Sequence, residues 1–232
     1  MSDAGPLIVW DIDRTLIDAG AAGRDIMNAA ITRVIDREPE HEVWFGGKTD
    51  PRIAAEILTA AGVPLPHDDH VADVLVHLEQ VLAERETVVA AEGAVLPGVR
   101  EILTRLRAAG ALQTVLTGNI QANAVVKLRA FGLDEFVDVT VGAFGSDHAD
   151  RPRLLPLVLD RAARAYGRRW RPEETWVIGD TEFDFECAAA SGARCLLVAT
   201  GGSSYEHLST LGADTVLPDL SDVPAVVRLL TS

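Results

Sequence analysis

Aromatic side chains are scarce, at 5% of 232 residues, so aliphatic side chains and alanine must fill most of any core. Cysteine is limited to Cys187 and Cys195, which excludes a disulfide scaffold and reads as two small buried hydrophobes in a reducing compartment. Lysine is almost absent. Lys48 and Lys127 are the only two, so chemistry that needs a lysine has two candidates. No apolar run approaches the ~20 residues of a membrane span. The N-terminal stretch has no basic region ahead of an apolar one, which excludes an ordinary signal peptide and makes the cytoplasm the expected compartment. Positive charge is also short: 21 Lys+Arg face 35 Asp+Glu, for a formal charge of -14. Such a surface repels nucleic acids and anionic membranes, while a small anion can still bind where a metal and a few cations reverse the field.

What is present alternates. Leu7–Trp10 is a short buried strand after Gly5-Pro6. Residues 19–91 show only helical spacing, over 21–37, 51–61 and 68–86, with a break at Phe45-Gly46-Gly47. After Pro97 strands and helices alternate: helices 98–109, 120–131, 153–166, 182–191 and 222–230, and strands 111–116, 137–141 (weaker), 175–178, 194–198 and 214–217. This pattern predicts an α/β fold. A Rossmann-like parallel sheet carries helices on both faces, residues 1–18 and 92–232 form the core domain, and 19–91 form a small all-helical domain. His67, His70 and His77 lie among Asp68, Asp69 and Asp73 and read as a solvated helix face.

In such sheets ligands bind at the carboxyl ends of the strands. Three polar clusters lie there: Asp11-Ile12-Asp13-Arg14-Thr15, Thr117-Gly118-Asn119 and Gly179-Asp180-Thr181-Glu182-Phe183-Asp184. Crowded carboxylates repel one another, and an oxygen-only donor set points to magnesium rather than zinc. Asp11 is placed to attack phosphorus, Asp13 to protonate a leaving oxygen and later activate water, and Thr117 with nearby backbone NH groups to bind the transferred oxygens.

The segments DIDRTLID, VLTGN and VIGDTEFD resemble three of the four motifs of the haloacid dehalogenase superfamily, and the likeness covers essentially the whole chain. The phosphatase branch, with phosphoglycolate phosphatase-like proteins, is the nearest in kind. The resemblance implies an aspartyl-phosphate on Asp11, acid/base catalysis by Asp13, and Mg2+ held by Asp11, the backbone carbonyl of Asp13 and Asp180, with Asp184 as ligand or outer partner. The family's fourth motif is usually Lys-Pro. Here Arg151-Pro152 matches it with arginine, and Arg153 is the competitor. Arg14, where glycine is common, is a second departure, either a solvated arginine or a contact for an anionic substrate. The insert resembles the family's helical cap, and Gly46-Gly47-Lys48-Thr49-Asp50 its specificity loop, with Lys48 facing an anion and Gly118 and Asn119 near the substrate.

The expected activity is hydrolysis of a small phosphorylated metabolite by a monomer or homodimer. Phosphomutase, pyrophosphatase and phosphonate hydrolase chemistry, or a non-catalytic binding protein, are the alternatives. Asp13 argues against dehalogenation, which proceeds without that second aspartate.

Overall fold

The computed structural model describes residues 5–20, 22–65 and 67–232. Strand β1 (Leu7–Trp10) is completely buried, and its side chains divide by parity. Ile8 and Trp10 enter one apolar cluster, Leu7 and Val9 another. A strand buried on both faces needs helices on both faces, which explains the unbroken apolar run in the sequence.

Chain order continues through β2 (Ile17–Asp18), the helices α1 (Ala22–Ile35), α2 (Asp50–Ala60) and α3 (Asp68–Glu92), and β3 (Ala94–Val95). Then follow α4 (Val99–Ala108), β4 (Leu112–Thr117), α5 (Gln121–Ala130), β5 (Ala143–Phe144) and α6 (Leu154–Tyr166). The chain ends with β6 (Thr175–Gly179), α7 (Glu182–Ser191), β7 (Arg194–Val198), α8 (Tyr205–Leu208), β8 (Thr215–Leu217) and α9 (Val223–Leu230). The sheet is parallel in the order β5-β4-β1-β6-β7-β8. Trp10 is in register with Val115 on one side and Ile178 on the other. The residues that follow these three strands therefore emerge at one edge.

The antiparallel pair β2–β3 closes the base of the helical insert, with Ile17 opposite Val95. The insert shares one apolar cluster with the sheet: Ile26, Met27, Ile53, Leu78 and Leu82 join Ile12, Leu16 and Ile17. Helix α3 packs along both α1 and α5.

Three expectations need correction. Residues 137–141 form no strand. The Asp138 side chain accepts from the Thr140 NH at 2.9 Å and starts a single 3-10 turn over Val139–Val141, and the strand begins two residues later at Ala143. The valines there are buried by packing rather than by sheet pairing. Helix α3 runs to Glu92, past the expected end at 86, because Val89 is buried and Gly93 is the first residue to stop it. His67 is buried instead of solvated, with Nε2 3.0 Å from Thr59 Oγ1.

Candidate active site

The three clusters meet at the carboxyl edge of the sheet. Asp11 continues the β1 ladder, its NH donating to the Ile178 carbonyl at 2.8 Å. The chain then turns tightly, with the NH groups of Leu16 and Ile17 both donating to the Ile12 carbonyl. This turn sends Asp13 toward β4 and puts Arg14 in the left-handed region at φ 63°.

Asp11, Asp180 and Asp184 are buried, and one carboxylate oxygen from each lies within 4.8 Å of the others. Burial, offset in part by Arg151 and reinforced by Asp184 and Asp13, pushes Asp11 up to about 7. Burial together with Asp184 and Asp11 pushes Asp180 up to about 9. Burial and mutual repulsion of hard oxygen donors outweigh the one guanidinium beside them, and a divalent cation such as magnesium fits the set. Asp184 is tied down at both oxygens. Oδ1 takes Arg151 Nη2 at 2.5 Å, and Oδ2 takes the Thr181 NH and Oγ1 at 3.1 and 2.8 Å.

Arg151 is 4% exposed and sits between Asp184 and Asp11, with Nη2 3.0 Å from Asp11 Oδ1. Burial works against its charge, but the two aspartates outweigh it and hold the guanidinium firmly protonated. Its Nη1 donates to the Gly47 carbonyl at 3.0 Å, so the same side chain ties the insert to the sheet. Arg153 points away: it is 70% exposed and faces Asp150.

Asp13 sits in a different environment. Its side chain is 37% exposed, and Lys127 Nζ donates to both of its oxygens at 2.8 and 2.7 Å. Asn119 Nδ2 adds a third bond at 2.7 Å. Burial would raise Asp13, but the Lys127 ammonium and these hydrogen bonds prevail and hold it below the usual carboxylate range. Lys127 also donates to Asn119 Oδ1 at 2.7 Å, and Asn119 Nδ2 reaches Thr117 Oγ1 at 2.8 Å.

Lys127 is the residue of the site that motif reading did not place there. It lies ten residues after Thr117, on a helix whose buried stripe is Asn123, Ala124, Lys127 and Leu128. Two polar residues in an otherwise apolar stripe were the available signal.

The insert closes on the site at residues 46–50. The Asp50 NH donates to the Gly118 carbonyl at 2.7 Å, and Asp50 Oδ2 accepts the Ile120 NH at 2.8 Å, ahead of the first residue of α5. Burial raises Asp50 to about 6 despite Lys127 nearby. Gly118 permits the approach: a Cβ there would lie 2.1 Å from the Lys48 carbonyl oxygen. Gly47, at φ 65°, meets Thr181 and Phe183 in the same way. Lys48 lines the cavity, but its Nζ is 2.5 Å from Glu56 Oε2. Arg14 lines the cavity and pairs with Asp18 at 2.6 Å. The cavity between insert and sheet has a volume of about 410 Å³ and reaches from Asp11 and Asp180 to Trp44, Leu78 and Leu82.

A sequence profile of haloacid dehalogenase-like hydrolases matches residues 6–192. A phosphoglycolate phosphatase of Caulobacter vibrioides is 30% identical over 98% of this chain and 93% of its own length. The pyrophosphatase PpaX of Halalkalibacterium halodurans is 30% identical over 56% of this chain and 59% of its own. Among solved structures, CbbY from Rhodobacter sphaeroides in complex with phosphate superposes with a TM-score of 0.70 at 21% identity, covering 94% of this chain and 96% of that one. The profile match spans most of the chain, and the Caulobacter likeness nearly all of it, so this chain belongs to the haloacid dehalogenase-like hydrolases.

Proposed function

We propose that this hydrolase is a magnesium-dependent phosphatase for a small phosphorylated metabolite, working through an aspartyl-phosphate on Asp11. The observation that carries the reading is the contrast between two aspartates two residues apart. Asp11 is buried beside Arg151 and two further carboxylates, and Asp13 is half-open to the cavity and held by Lys127 and Asn119. One is placed as nucleophile, the other as proton carrier.

Residues 19–91 act as a cap domain over a core of 1–18 and 92–232. Asp11, Asp180 and the backbone carbonyl of Asp13 would hold the magnesium, with Asp184, tied to Asp11 through Arg151, as a further ligand or outer partner. When bound, the cation offsets the charge of the phosphoryl oxygens and polarises the phosphorus. An Asp11 oxygen attacks phosphorus, and the bond from phosphorus to the leaving oxygen breaks. That oxygen takes a proton from Asp13. In the second half, Asp13 removes a proton from water, the water oxygen attacks the phosphorus of the aspartyl-phosphate, and inorganic phosphate leaves with Asp11 restored as carboxylate.

The low-lying state of Asp13 is the one that activates water. A phosphoryl group arriving beside it adds negative charge and favours the protonated form needed for the first half. Thr117 and the NH groups after it receive the phosphoryl oxygens, and closure of residues 46–50 keeps bulk water out.

Phosphate release from a panel of phosphorylated metabolites with magnesium tests the reading. Asp11→Asn should reduce release to background without loss of fold, and chelation should do the same to the unaltered protein. Retention of activity by the variant refutes the nucleophile assignment.

A further inference from the structure

Two side chains at the start of α2 serve the sheet domain. Thr49 holds the N-cap position, yet its hydroxyl makes no cap bond there and donates to the Ala149 carbonyl at 2.7 Å. Asp50 is the first residue of α2, where an acidic side chain ordinarily complements the helix's own NH groups. Its Oδ2 accepts the NH of Ile120, 70 residues away. The entry of α5 shows the reverse. Its N-cap is Ile120, whose hydrocarbon side chain offers no acceptor. The NH groups of Ile120 and Gln121 are met from other segments, by Asp50 Oδ2 at 2.8 Å and by Ser146 Oγ at 3.1 Å. The insert therefore caps a helix of the core, and that helix carries Lys127, the partner of Asp13.

The backbone of Asp50 acts on the same turn, its NH donating to the Gly118 carbonyl at 2.7 Å. The carbonyl of Gly118 and the NH of Asn119 share one peptide plane and, in a trans peptide, point in opposite directions. A carbonyl drawn toward the insert therefore turns the Asn119 NH away from it, toward Thr117 Oγ1 at 3.3 Å. The fit leaves no slack. A Cβ on Gly145 would lie 2.0 Å from the Gly118 carbonyl oxygen and 3.3 Å from the Asp50 nitrogen.

We propose that Asp50 is a positioning residue that clasps residues 117–120 from the insert side, so that the NH groups receiving the phosphoryl oxygens take their working orientation only while the insert is docked. Asp50 acts through Gly118 and Ile120 rather than on the reacting atoms. The inference rests on the phosphatase reading, which assigns those NH groups to the phosphoryl oxygens.

The test uses Asp50→Ala, which removes the acceptor, and Asp50→Asn, whose amide oxygen can still accept the Ile120 NH. With magnesium present, calorimetry gives the Kd of inorganic phosphate, and kinetics give kcat and KM for the best ester of the panel. Asp50→Ala should weaken phosphate binding roughly tenfold and lower kcat roughly 10- to 100-fold, the scale of a small misplacement of binding groups. Asp50→Asn should recover most of both. A role in folding alone lowers the Tm of Asp50→Ala while phosphate affinity and kcat of the folded protein stay unchanged, and that result overturns the inference. So does an Asp50→Asn variant as impaired as Asp50→Ala, because the charge and not the hydrogen bond would then be what counts. Should the alanine variant fail to fold, Asp50→Ser, too short to reach Ile120, replaces it in the same comparison. If no ester releases phosphate, the phosphatase reading falls, while the phosphate affinities of the variants still decide whether Asp50 positions the turn.

Discussion

Lys127 and Asp13, 114 residues apart in sequence, are joined by two hydrogen bonds of 2.8 and 2.7 Å from one ammonium to both carboxylate oxygens. The pair fixes the orientation of Asp13 at the cavity wall and sets its proton affinity. The phosphatase reading requires both properties.

Lys127→Met should therefore damage catalysis through Asp13. The carboxylate loses its orientation and its low proton affinity, and kcat should fall by roughly 10- to 100-fold, part of the ~10² to 10⁴ that acid/base catalysis contributes. The acidic limb of the pH–rate profile should move upward, because the cation that lowers Asp13 is gone. A general packing defect lowers kcat without moving that limb, so the pH profile of the variant separates the two.

Much of this arrangement was legible beforehand. The strand Leu7–Trp10 and the polar clusters after it could be read because a strand buried on both faces is apolar without interruption, and its register places the next residue at the sheet edge. Lys127 was not legible as a partner of Asp13, because their meeting depends on how α5 is placed after β4, against α3 and β5, relative to the turn after β1, which no local pattern encodes. The segment around Val139 misled for the opposite reason. Buried valines look like a strand, but the Asp138 side chain captures the Thr140 NH and turns the chain.

Magnesium should stabilise the protein more as pH rises. The sign follows from Asp11 and Asp180, raised by burial to about 7 and about 9 from an ordinary value of 3.8. An acid whose proton affinity is raised by folding makes a contribution that is full below its unfolded pKa and is lost as pH climbs through its folded one. Without metal, these two groups should cost progressively more stability between about pH 4 and about pH 9. Magnesium binds the ionised carboxylates and offsets that loss, so the magnesium-induced gain in Tm should be small near pH 5 and grow toward pH 8 to 9. Thermal unfolding with and without magnesium across this range checks it. A gain independent of pH would place the cation elsewhere.

Arg151 and Asp184 should be coupled in stability. Arg151→Met leaves Asp11 and Asp184 buried without their cation, and breaking such a pair costs about 3–5 kcal/mol. Adding Asp184→Asn removes one of the stranded charges, so the double variant should be less destabilised than the sum of the singles. Urea unfolding of the four proteins gives the coupling energy, which should exceed ~1 kcal/mol for residues in direct contact. Additive behaviour would mean that Arg151 acts on Asp11 alone.

Arg14 supplies the last prediction. It is a non-glycine residue held at φ 63°, a conformation that costs an L-residue roughly 1–2 kcal/mol. What it gains in return is small. Its pair with Asp18 is exposed on both sides, and such a pair contributes about 0–1 kcal/mol. The backbone contacts of the turn, the Arg14 NH to the Ile17 carbonyl and the Thr200 hydroxyl to the Arg14 carbonyl, do not depend on the side chain. Arg14→Gly should therefore leave stability unchanged or raise it by up to about 1 kcal/mol, once the extra unfolded-state freedom of glycine is subtracted. Arg14→Val should do the reverse, because a β-branched side chain tolerates the left-handed region worst. Denaturant midpoints of the two variants should bracket that of the unaltered protein. A glycine variant clearly less stable than the arginine would show that the Arg14 side chain makes a contribution to folding larger than its exposed ion pair provides.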